Sequence, residues 1–72
     1  MALNGGLDGL SEIRKIIDKS TELIKKNGKL IIEIAFNQKK EVKRILEDNG
    51  FYTIEVIKDL AKNDRCIISK KI

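Results

Sequence analysis

The chain has no histidine, no tryptophan, no proline and a single cysteine, Cys66, among its 72 residues. Without histidine or a second cysteine, the usual zinc-ligand patterns, the His-dependent nucleophilic triads and an internal disulfide are all excluded. The lone thiol suits a reducing compartment, so the expected location is cytoplasmic. Aromatic residues are scarce: Phe36, Phe51 and Tyr52 read as core or strand residues rather than as platforms for stacked bases. No apolar run approaches the ~20 residues of a membrane span, and the first residues lack the basic start and apolar stretch of a signal peptide. Length is short as well. A domain ordinarily takes about 100–200 residues, so no catalytic domain of common size fits. A chain this small buries only about 60 % of its unfolded surface and tends to need a partner for stability.

What is present is charge and aliphatic bulk. Fifteen Lys and Arg against eleven Asp and Glu give +4, a charged fraction of 36 % beside 42 % apolar residues, which describes a soluble globular chain. Residues 1–9, with three glycines, read as a flexible lead-in. Leu10, Ile13, Ile17 and Ile24 recur at helical spacing, widened by Ile16 and Leu23, with Asp8 or Ser11 as the cap and Lys25-Lys26-Asn27-Gly28 as the stop. Leu30 to Phe36, apolar at nearly every position and rich in β-branched residues, reads as a strand covered on both faces. A second helix is predicted from Asn37 as cap through Val42, Ile45 and Leu46 to Asn49-Gly50. Phe51–Ile57 and Cys66–Ile68 complete the order helix, strand, helix, strand, strand.

A three-stranded sheet leaves the first strand at an edge or barely inside, although its composition is that of a central strand. The chain therefore reads as part of something wider. Either a longer polypeptide supplies the missing neighbour, or two copies supply each other's edge through Leu30–Phe36.

Three motifs now carry a resemblance. Ala2-Leu3-Asn4-Gly5-Gly6-Leu7-Asp8-Gly9-Leu10, then Gly28-Lys29-Leu30-Ile31-Ile32-Glu33-Ile34-Ala35-Phe36-Asn37-Gln38, then Val56-Ile57-Lys58-Asp59-Leu60-Ala61-Lys62-Asn63-Asp64-Arg65 together resemble the C-terminal end of the release-factor glutamine methyltransferases, over essentially the whole chain. Ala35 and Lys62 stand where that family usually or often has glycine. The resemblance implies an α/β fold, the C-terminal portion of a Rossmann-like class I methyltransferase: a mixed three-stranded sheet with the last strand antiparallel in the middle. It implies a parent enzyme that transfers a methyl group from S-adenosylmethionine to a glutamine side-chain amide of a peptide-chain release factor. The family's Asn-Pro-Pro-Tyr segment cannot exist in a chain without proline. Its cofactor-binding glycine turn follows a strand, which Gly5-Gly6-Leu7-Asp8-Gly9 does not. The expectation is thus a single C-terminal fragment over residues 1–72, which binds no cofactor tightly and is inactive alone, with the rest of the methyltransferase domain as its partner.

Candidate site residues follow from position. Glu33, the one charge inside the apolar strand, is either a group near a substrate channel or a rim charge paired with a lysine. Asn37 and Gln38 lie past the carboxyl end of that strand, where open α/β sheets place ligands; Asn37 also suits a helix cap, and Gln38 stays open. Asp59, Asp64 and Arg65 read as residues that hold a turn, since two carboxylates with no nucleophile or base form a poor catalytic set. Lys25, Lys26, Lys29, Lys39, Lys40 and Lys43 form a loose basic group, read as solvated surface or as a contact for RNA. A free-standing homodimeric α/β interaction module, with that basic face turned to RNA or an acidic partner, is the alternative function. A methyltransferase of the same fold acting on nucleic acid is a third.

Overall fold

The structure, a computed structural model, describes residues 9–72. The order is α1 (Ser11–Leu23), β1 (Lys29–Glu33), α2 (Lys39–Asp48), β2 (Phe51–Lys58) and β3 (Asp64–Lys71). The strands lie side by side as β1-β3-β2, and both ladders are antiparallel. β1 and β2 therefore run in the same direction with the final strand antiparallel between them, and no parallel ladder forms.

Both helices pack on one face of this sheet. Leu10 and Ile17 from the α1 side, Val42 and Leu46 from α2, and Ile32, Ile34, Phe51 and Ile67 from the strand side make one buried cluster. Strand alternation explains the membership: Ile32, Ile67 and Val56 are cross-strand neighbours and so share the inner face. Among the described residues no helix lies over the outer face. Ile31, opposite Ile68, is 63 % exposed, and Tyr52, Ile54 and Ile57 are exposed as well. The expectation that the first strand is covered on both faces is corrected here. β1 is an edge strand covered on one side, because the chain's two helices both take the other side. Of the three aromatics, only Phe51 belongs to the core; Phe36 and Tyr52 are exposed.

Element ends also differ from expectation. The cap position of α1 is Leu10, with no side-chain cap; its side chain is buried, so packing rather than a polar cap fixes the start of the helix. Ser11 is already helical, and Asp8 lies outside the described residues, as does the predicted flexible lead-in up to that point. The helix ends at Leu23, with Ile24 extended, and Ile16 and Leu23 are exposed rather than part of the apolar stripe. Asn27 takes the left-handed region at φ 71°, and Gly28 N–H donates to the Lys25 carbonyl. α2 starts after Gln38, not Asn37. It stops as read, with the Asn49 side chain donating to the Ile45 carbonyl at 2.8 Å and Gly50 at φ 85°. β1 ends at Glu33 and β3 runs well beyond Ile68, because a central strand paired on both sides tolerates Ser69, Lys70 and Lys71. No helix among the described residues is long and apolar enough to cross a membrane.

Burial predicts a contrast between two leucines. Leu46→Ala should lower the free energy of unfolding by about 2–4 kcal/mol, a large share of the stability of so small a chain. Leu60→Ala, at a fully exposed position, should change it by less than about 0.5 kcal/mol. Urea unfolding of the two variants checks this.

Candidate functional site

The carboxyl ends of β1 and β2 and the start of β3 meet at one end of the sheet, and every sequence-predicted site residue lies there. Glu33 is the last residue of β1, opposite Cys66, and exposed. Beyond it Ile34 N–H still donates to the Arg65 carbonyl at 2.8 Å, which ties the post-β1 turn to the start of β3. Among the described residues Glu33 makes no ion pair. Asn37 is exposed in that turn and caps nothing.

Gln38 is held by three contacts. Its Oε1 accepts the Ala35 N–H at 2.9 Å, and its own N–H donates to the Ala35 carbonyl at 3.0 Å. Its Nε2 lies 3.5 Å from the Gly9 carbonyl. The side chain thus closes the post-β1 turn and reaches the start of α1. Gly9 has φ 71°, a conformation that disfavours any other residue, and a Cβ there would stand 3.4 Å from Gln38 Nε2.

The β2–β3 turn is built around Asp59. Its Oδ1 accepts the Asn63 N–H at 2.9 Å and its Oδ2 accepts Arg65 Nε at 2.8 Å. Asp59 N–H donates to the Asn63 carbonyl, and Lys62 N–H to the Asp59 carbonyl. Asp64 pairs with Lys58 across the strand ends. Hydrogen bonds from the Asn63 backbone and then from Arg65 hold the Asp59 carboxyl below its usual range, and the Lys58 hydrogen bond does the same for Asp64. The hydrogen bonds of both carboxylates are spent within the turn, which they anchor.

The two departures at glycine positions differ. Ala35 has no positive φ, so its methyl group is tolerated, whereas Lys62 sits at φ 68°, where a side chain is strained.

The basic residues do not converge as one group. Lys39, Lys40, Lys43 and Arg44, with Glu47, line an open depression on α2; Lys25, Lys26 and Lys29 do not border it. Among the described residues no cluster of three or more His, Cys, Asp or Glu could hold a metal.

The feature missed in sequence is the bare outer face of Ile31, Ile68, Tyr52, Ile54 and Ile57. Its signal was already present in a first strand apolar on both faces.

The resemblance carried by the motifs can now be set against known proteins. The chain is similar, over nearly all its length, to release factor glutamine methyltransferases. Those of Thermodesulfovibrio yellowstonii and Fusobacterium nucleatum are each 44 % identical, over 97 % and 89 % of this chain, and that of Clostridium acetobutylicum is 41 % identical over 96 %. A protein named bifunctional methyltransferase from Rickettsia felis is 36 % identical over all 72 residues. The chain spans only 14–25 % of the length of these relatives. No family model matches and no solved structure matches. The α/β architecture has its last strand antiparallel in the middle of the sheet, the strand arrangement that the resemblance implies.

Two outcomes follow from the β2–β3 turn. Lys62→Gly should stabilise the chain by roughly 0.5–1 kcal/mol, as relief of the left-handed strain exceeds the added chain entropy, and a melting curve should shift upward by a few degrees. Both aspartates have folded-state pKa values below their unfolded ones, so their contribution is complete above about pH 4 and is lost as pH falls through the folded values. Unfolding measured between about pH 7 and pH 2.5 should show falling stability at the acid end, with a shallower fall in Asp59→Asn.

Proposed function

We propose that these 72 residues are the C-terminal segment of the catalytic domain of an S-adenosylmethionine-dependent methyltransferase that modifies a glutamine side-chain amide of a peptide-chain release factor. Their own role is structural. They complete the sheet and cover one of its faces, and the rest of the domain supplies the reacting groups. The observation that carries this reading is the 41–44 % identity to release factor glutamine methyltransferases over 89–97 % of the chain. The bare outer face and the open edge of β1 support it, since both call for material that these residues do not contain. In the isolated chain the same edge is free to pair with another copy. The free thiol of Cys66 favours the cytoplasm.

The described residues do not fit the cofactor. Backbone approach to such a ligand calls for glycine in the turn after a strand. Here Gly28 and Gly50 precede strands and Gly9 precedes a helix. The turns after β1 and β2 are closed by Gln38 and Asp59 through their own hydrogen bonds. No step of methyl transfer is assigned to these residues. In this reading Glu33 and Asn37 face a substrate in the assembled domain, supported by their exposure at the carboxyl end of β1. Gln38, occupied with Ala35 and Gly9, holds the turn that presents them.

The test is a chimaera in which these 72 residues replace the matching segment of the Thermodesulfovibrio yellowstonii enzyme. It should methylate a release factor glutamine, and the 72-residue chain alone should not. A folded chimaera that binds S-adenosylmethionine yet transfers nothing would overturn the reading.

A further inference from the structure

The two edges of the sheet are unlike. β2 is interrupted by register shifts between Thr53 and Glu55 and between Ile57 and Lys58, and bulges of this kind blunt an edge against pairing with another chain. β1 pairs with β3 in unbroken register from Lys29 to Glu33, and among the described residues no strand pairs with its other side. The Lys71 N–H donates to the Gly28 carbonyl, and the Ile34 N–H donates to the Arg65 carbonyl. Antiparallel alternation therefore turns the backbone groups of even-numbered β1 residues toward β3 and those of Lys29, Ile31 and Glu33 toward the open edge. The side chains of these same three residues lie on the bare outer face.

Lys29 is opposite Lys70, a like-charge neighbour that disfavours the folded sheet, and Glu33 is opposite Cys66. Among the described residues neither Lys29 nor Glu33 makes an ion pair.

We infer that the isolated chain forms a two-fold symmetric dimer in which β1 pairs antiparallel with β1 of a second copy, centred on Ile31. In that register Ile31 meets Ile31 of the second copy. Lys29 meets the second copy's Glu33, and Glu33 meets the second copy's Lys29. Each of these pairs exchanges both backbone hydrogen bonds. A shift by two residues in either direction sets a charge against Ile31, and an in-register parallel pairing sets Lys29 beside Lys29 and Glu33 beside Glu33. Charge thus selects a single register, and the two-fold closes the assembly at two copies. A five-residue strand pair buries less than the ~1,200 Å² of a stable interface, so dissociation should fall on the order of tens to hundreds of micromolar. The inference does not depend on methyl transfer.

Sedimentation equilibrium tests it. From about 1 μM to about 1 mM, the mass should rise from 8.2 kDa toward twice that value. Lys29→Glu alone and Glu33→Lys alone should each weaken association by about tenfold or more. An equimolar mixture of the two variants should associate as the parent chain does, because the heterodimer restores both pairs. Circular dichroism of each variant reports whether it is folded. A parent chain monomeric at about 1 mM, or association that folded single variants leave unchanged, would overturn the inference. So would a mixture of folded variants that associates no better than either alone.

Discussion

The inner face of the sheet buries Ile32, Ile67 and Phe51 beneath Ile17, Val42 and Leu46, and this single layer of aliphatic contact organises the rest of the chain. Among the described residues β3 is the only strand paired on both sides, so it carries both ladders, and its Ile67 and Ser69 are fully enclosed. Ser69 spends its hydroxyl on the Leu30 carbonyl at 3.1 Å, which meets the usual demand that a buried polar group be bonded. The Thr53 hydroxyl beside the first bulge finds no such partner. With one core layer and no second, stability rests on few side chains.

The same asymmetry shapes function. Packing both helices on one face exposes Ile31, Tyr52, Ile54 and Ile57 on the other, an apolar surface of the kind that marks an interaction site rather than a finished exterior. At the end of the sheet that gathers Glu33, Asn37, Gln38, Asp59, Asp64 and Arg65, the turns are held by hydrogen bonds of Gln38 and Asp59 and by the Lys58–Asp64 pair.

Much of this was legible in the residues. Asn49-Gly50 stops α2 because a left-handed glycine ends a helix cheaply. The strand order with the last strand in the middle followed from the resemblance and is the order found. Element starts were less legible. Leu10 and Gln38 occupy cap positions without side-chain caps, since tertiary packing of Leu10 and the turn bonds of Gln38 outweigh capping preference. Phe36, a core or strand residue by sequence, lies beyond β1 and is exposed, because the turn closed by Gln38 on Ala35 carries it out of the sheet.

The run Leu30 to Phe36 by itself determined a strand-forming segment, because it is aliphatic or aromatic at every position but Glu33. Only the tertiary structure decided which face of β1 was covered and which edge remained open. Side-chain alternation distinguishes two faces without saying where a helix will lie, and that choice belongs to helices brought over the sheet by the chain's connections.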